Sequence, residues 1–153
     1  MVPACGWQRA MVLALLAACI DASAWAQTSS PVGRWRTYDD TGAELKSIVV
    51  IRDVNGEMQG YVEKVFAPPA PSERPLCERC TGDRKNRPVV GMQIMWGMKK
   101  DGSAFTGGRL FDPEAGREYR GKIRVVDGGR RLEVRGFIGL AMFGRTQVWI
   151  REP

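Results

Sequence analysis

Five turn signals punctuate the chain: "DDTG" at 39–42, "DVNGE" at 53–57, "KDGS" at 100–103, "DPEAG" at 112–116 and "DGGR" at 127–130. Asn-Gly and Asp-Gly favour tight hairpins, because both central positions tolerate positive φ. The stretches between the turns run roughly 7 to 12 residues. That is strand-and-hairpin spacing. No segment carries a helical period.

Alternation within the stretches agrees. Along 89–100, Val90, Met92, Ile94, Trp96 and Met98 fall on one face, and Val89, Gly91, Gln93, Met95, Gly97 and Lys99 on the other. In 116–126, Tyr119, Gly121, Ile123 and Val125 alternate with Glu118, Arg120, Lys122 and Arg124. In 130–138, Leu132, Val134, Gly136 and Ile138 alternate with Arg131, Glu133, Arg135 and Phe137. A period of two sends one set to a core and the other to water. Eight strands are predicted, at 32–38, 44–53, 57–66, 89–100, 103–111, 116–126, 130–138 and 144–151. The expected fold is all-β, an eight-stranded antiparallel up-and-down barrel, since closure removes exposed edges. A barrel of this size is filled by side chains or holds one small ligand. Glycines inside the strands (Gly60, Gly91, Gly97, Gly107, Gly108, Gly121 and Gly136) are expected to permit bends.

The N-terminus points to export. Arg9 precedes an apolar run over 10–20. It is shorter than the roughly 20 residues that span a bilayer. "AWA" at 24–26 fits a small-x-small cleavage site, so residues 1–26 read as a signal peptide and 27–153 as one domain. The alternative is the lipobox-like "LAAC" at 16–19, which would anchor the protein through a lipid on Cys19. The expected location is periplasmic or secreted. Removing 1–26 takes away Arg9 and Asp21 and leaves the net charge at +6. For an exported protein this is read first as an aid to solubility, with peripheral contact with anionic envelope surfaces as the alternative, and it disfavours nucleic acid. The oligomeric state is not legible.

In order, "GRWRTYDDTG", "CERC", "FTGGRLFDPEAGREYRGKIRV" and "LEVRGFIGLAMFGRTQVWIRE" resemble a family of secreted bacterial proteins, domain-of-unknown-function family 2147. The resemblance runs over 33–151 and rests most on Asp112, Pro113, Gly116 and Tyr119 and on the motif over 135–151. It implies a lipocalin-like, or calycin-like, barrel. Gly33 and Trp35 are similar to the lipocalin Gly-x-Trp signature. By the same resemblance an Arg of the last strand, Arg151 or Arg145, packs across Trp35 and closes the barrel end. The family name implies no reaction.

Cys77 and Cys80 lie in a proline-rich loop at 67–88. Export puts them in an oxidising compartment, and they are near enough to pair, so a disulfide is expected. A redox pair is one alternative, but no helix N-terminus is predicted to lower a thiol pKa there. Half of a metal site is another, but the chain has no histidine and structural zinc wants four ligands. Lack of histidine also excludes Ser-His and Cys-His dyads. Asp39, Asp40, Asp53, Asp101, Asp112 and Asp127 fall at turns and read as caps. Glu118 and Glu133 read as cross-strand partners of arginines. The chain is therefore not expected to be an enzyme, and no metal or cofactor is expected.

The inward stripes supply the pocket candidates: Met92, Ile94, Trp96, Tyr119, Ile123 and Leu132. They suit a small apolar or amphipathic molecule of the cell envelope. The alternative is a filled barrel acting as a protein-interaction or structural module. The apolar stretch "GFIGLAMFGR" at 136–145 is expected to plug a barrel end; exposed, it would mark a membrane or partner contact. Arg120, Lys122, Arg124, Arg131 and Arg135 are expected to form a solvated basic face.

Overall fold

Asn55 takes a φ of 55° at the tip of the hairpin that "DVNGE" predicts, where two antiparallel strands reverse through positive φ. The computed structural model describes residues 30–66 and 74–153. The expected signal segment and Cys19 lie outside the described residues. The strands are β1 (Gly33–Tyr38), β2 (Leu45–Val54), β3 (Glu57–Val65), β4 (Gln93–Asp101), β5 (Ala104–Asp112), β6 (Arg117–Val126), β7 (Arg131–Phe137) and β8 (Arg145–Arg151). They form one closed antiparallel barrel in chain order. The fold is the eight-stranded up-and-down barrel that turn spacing predicts. Its seam pairs β1 with β8 through Trp35↔Arg151 and Arg36↔Ile150. The Glu152 amide donates to the Arg34 carbonyl at 2.9 Å just beyond the seam.

β4 begins at Gln93, four residues later than the alternation predicts, and the alternation then fails inside it. Tyr61 pairs with Gln93 and Gly60 with Met95, so Ile94 is extra; between Met58↔Met98 and Gly60↔Met95 the strand gains another residue. Each bulge reverses the phase of the side chains. Ile94, Met95 and Met98 are all buried as a result. Trp96 is turned to the outer surface, paired with Arg109 of β5. The expectation that Trp96 points into the barrel is corrected: the bulge at Ile94, invisible to a strict period of two, turns it outward, and the second, between Met95 and Met98, returns Met98 to the inside.

The half of the barrel near the starts of β1 and β7 is filled. Trp35, Val49, Ile51, Met95, Met98, Ile123 and Leu132 are essentially sealed from water. Space for Met98 comes from Gly121, where a Cβ would lie 2.1 Å from the Met98 Cε. Among the described residues the only helical pieces are short 3-10 turns at Gly82–Arg84, Asp127–Gly129 and Ala141–Phe143.

Candidate functional site: a barrel closed at one end and open at the other

The closed end is built around Arg151. Its guanidinium carbon lies 4.2 Å from the centre of the Trp35 ring. It donates through Nη1 to the Val32 carbonyl at 3.0 Å and through Nη2 to the Ser30 carbonyl at 2.9 Å. Nε donates to the Gly129 carbonyl at 2.5 Å. Burial lowers the Arg151 pKa from its ordinary value, since removing water disfavours the charged form. The Trp35 indole donates to the Pro31 carbonyl at 2.8 Å. The glycine of Gly-x-Trp has a steric reason. A Cβ on Gly33 would sit 2.7 Å from Arg151 Nη1, and the φ of +136° disfavours any L side chain. Of the two candidate arginines, Arg151 lies across the Trp. Arg145 is at the other end of β8, ion-paired with Asp40, because five residues of extended strand separate the two ends of one face.

The opposite half is hollow. A cavity of about 640 Å³ lies between the ends of β1, β3, β5 and β7 and the starts of β2, β4, β6 and β8. Val62, Ile94, Leu110, Tyr119 and Val134 give it an apolar wall. The β8–β1–β2 side is polar: Gln147, Thr37 and Ser47 line it. Thr37 Oγ1 and Ser47 Oγ are 2.6 Å apart and hydrogen-bonded. The Trp149 indole donates to Gln147 Oε1 at 3.2 Å. Each polar residue stands two places from a buried apolar one (Trp35, Val49 and Trp149), so it shares that residue's inward face. That phase was the available signal. Apolar stripes alone point past it.

Of the pocket candidates, Ile94 and Tyr119 line this cavity. Ile123 and Leu132 are fully buried in the filled half. Met92 is buried beneath the loop before β4, where its carbonyl accepts from the Val62 amide at 3.0 Å. Trp96 lies outside, its ring 5.1 Å from the guanidinium carbon of Arg84, which also stands 4.3 Å from the Phe111 ring.

Arg84 belongs to a loop that leans over the mouth. Residues 67–73 of the predicted loop lie outside the described residues; 74–92 fold on themselves. The Val89 amide donates to the Pro75 carbonyl at 2.8 Å, the Cys77 amide to Arg87 at 2.8 Å and the Gly91 amide to Val62 at 2.7 Å. Cys77 and Cys80 form a disulfide and are both buried. Their loop sits on the β5–β6 turn. Cys77 Sγ lies 3.2 Å from the Pro113 carbonyl oxygen. A Cβ on Gly116 would be 2.1 Å from the Arg79 carbonyl oxygen. Gly116 therefore provides the seat, and Pro75, Leu76 and Val89 reach the cavity lining.

The carboxylates around the mouth are held by partners. Asp39 accepts the Thr41 hydroxyl at 2.7 Å and the Ala43 and Glu44 amides, each at 2.9 Å. The Thr41 bond and then the Glu44 amide lower its pKa to about 2. Asp112 Oδ1 accepts the Glu114 and Ala115 amides, and Glu114 pairs with Lys46 at 3.5 Å. Away from the mouth, Asp53 caps Gly56, and Glu118 and Glu133 pair with Arg109 and Arg124. The β7–β8 turn is not a plug. Ile138, Leu140, Met142 and Phe143 are exposed, because a short 3-10 turn reverses the chain beyond the barrel rim and leaves these side chains no interior to enter.

A family model described as an uncharacterized protein conserved in bacteria, DUF2147, matches residues 33–151, and the chain belongs to that family. A solved structure of protein HP1028 from Helicobacter pylori, described as belonging to the lipocalin family, is similar over 81% of this chain and 84% of that one. The TM-score is 0.68 at 18% sequence identity, a likeness of fold. Comparison with the curated proteins finds no match.

Proposed function

We propose that this member of the DUF2147 family is a non-catalytic binding protein that carries a small amphipathic molecule in the open half of its barrel. It does so in the bacterial cell envelope, after export through the segment at 1–26. One observation carries the reading: a cavity of about 640 Å³ that is open at the end opposite Arg151 and Trp35. Ligand sites commonly span about 300–1,000 Å³ and are mostly apolar with a few placed polar groups. Here the apolar part of a ligand lies against Ile94, Leu110, Tyr119 and Val134, and its polar end meets Thr37, Ser47 and Gln147. The lipocalin-like fold supports the same class of function. The partnered mouth carboxylates and buried disulfide favour binding over chemistry. A fully filled barrel accords less well with the hollow half.

The test is fluorescence titration with N-phenyl-1-naphthylamine, followed by displacement with fatty acids and lysophospholipids. Val134→Trp should weaken probe binding at least tenfold by occupying the cavity. Thr37→Val/Gln147→Leu should retain the probe and lose preference for polar-headed competitors. No fluorescence gain with folded protein, or unchanged binding by a folded Val134→Trp variant, would overturn the proposal.

A further inference from the structure

The β7–β8 turn concentrates the most exposed apolar side chains of the described residues. Ile138, Leu140, Met142 and Phe143 are 66%, 65%, 73% and 77% exposed, while the next, Leu76, is 46% exposed. Scattered surface hydrophobics are ordinary; a cluster in one turn is not. The turn is also structured. The Phe143 amide donates to the Leu140 carbonyl at 3.1 Å, and Arg135 donates to the Met142 carbonyl at 3.2 Å and to Thr146 Oγ1 at 2.8 Å. The apolar tip is thus presented outward by backbone that is already ordered.

Its position adds a second observation. Gly136 and Arg145, at the feet of the turn, line the cavity mouth. The disulfide loop borders the same mouth. Over 74–88 it carries Arg74, Arg79, Arg84, Lys85 and Arg87 against Glu78 and Asp83, five positive and two negative charges, a net of +3. Among the described residues none of those five cations takes part in an ion pair, whereas Asp40 and Glu114 at the mouth are matched by Arg145 and Lys46. Arg84 is held against the Trp96 and Phe111 rings, and Lys85 and Arg87 donate to the Glu78 and Asp83 carbonyls, yet no acidic side chain pairs with the loop's cations among the described residues, so this end of the barrel offers an apolar tip beside a net positive loop.

We propose that this end docks on an anionic phospholipid bilayer, with the β7–β8 turn inserted at the interface and the disulfide-loop cations over the headgroups. A bilayer fits better than a second copy of the chain, which would face one basic loop with another. Four side chains are also a small patch beside the roughly 800 Å² that each partner of a stable protein pair commonly buries. Each basic residue near an anionic surface adds about fivefold to affinity, and the apolar tip supplies the insertion. Docking turns the cavity mouth toward the membrane, so a carried molecule passes between bilayer and barrel with little contact with water. That last consequence rests on the function proposed above; docking itself does not.

The experiment is co-sedimentation with vesicles of equal parts phosphatidylglycerol and phosphatidylethanolamine, and with vesicles of phosphatidylcholine. It uses the chain isolated from its producing cells in a Cys19→Ser background, which removes any acyl anchor. Partition to the anionic vesicles should exceed partition to phosphatidylcholine at least tenfold and fall with salt. Met142→Ser/Phe143→Ser should weaken it at least tenfold without changing circular dichroism or naphthylamine-probe binding. A Phe143→Trp variant should show a blue-shifted emission on the anionic vesicles. Equal partition to both vesicles, none to either, or an unaffected double-Ser variant would overturn docking. So would a concentration-dependent dimer that the double-Ser change abolishes while vesicles stay unbound, which assigns the tip to a second copy. If vesicles are bound but the probe is not, docking stands and the carrier function falls.

Discussion

Replacing Gly33 by alanine should destabilise the barrel by about 3–6 kcal/mol, and the size of the effect follows from two local facts. The backbone φ of +136° lies where L side chains are strained, at a cost of about 1–3 kcal/mol. The new methyl also lands 2.7 Å from Arg151 Nη1, so the guanidinium must move. Moving it weakens the stack on Trp35, worth about 0.5–2 kcal/mol, and at least one charge-assisted bond to the Val32 or Ser30 carbonyl, worth about 1.5 kcal/mol or more. Domains of this size are stable by only about 5–15 kcal/mol, so the loss is easily measured. Urea unfolding followed by tryptophan fluorescence and far-ultraviolet circular dichroism gives it directly. An Arg151→Met background separates the two contributions. There the alanine should cost only the backbone part, leaving a coupling of at least about 1 kcal/mol. A cost below about 0.5 kcal/mol, or an equal cost in both backgrounds, would refute the reasoning that Gly33 exists to admit the guanidinium.

Three further outcomes are expected. Cys77→Ser/Cys80→Ser should lower stability by about 2 kcal/mol, the chain-entropy value for so short a loop, and leave the barrel intact; calorimetry and circular dichroism check this, and loss of the fold would count against it. Gly116→Val should lift the disulfide loop from its seat, because even the Cβ meets the Arg79 carbonyl oxygen at 2.1 Å; tryptic cleavage after Arg79 and Arg84 should quicken, and an unchanged digestion pattern contradicts the assignment. Asp39 has a folded pKa of about 2, below its ordinary value, so its stabilising contribution is present above about pH 4 and is lost as pH falls toward 2. Asp39→Asn should flatten that part of the acid-unfolding profile, and an identical acid limb in the two proteins would argue against the turn.

Strand number and order, and most strand limits, are legible because antiparallel hairpins leave local marks; the start of β4 is not. The Asn55 turn, the Asp112 cap and the alternation of Tyr119, Ile123, Leu132 and Val134 are each readable within a few residues. The inward phase of Ile94 and Tyr119 is legible for the same reason. Trp96 is not, because the bulge at Ile94 that turns it outward depends on how Gly60 and Tyr61 meet their partners on a different strand. Composition narrows the chemistry by the absence of histidine, yet the polar wall of Thr37, Ser47 and Gln147 becomes a wall only when β8 pairs with β1.

By itself, then, the order of residues determined an eight-stranded antiparallel β-fold, since local backbone preferences and period-two burial act over a few residues; the Gly-x-Trp end came from a family resemblance and the disulfide from the expected compartment. Tertiary structure alone decided the rest. It placed Arg151, not Arg145, over Trp35, since only closure of the barrel brings the end of β8 to the start of β1. It seated the disulfide loop on Gly116 and left the 138–143 turn exposed, because turns carry no periodicity and their neighbours are set by segments distant in the chain. It also left half the barrel hollow, since whether inward side chains fill a cross-section depends on all eight strands at once.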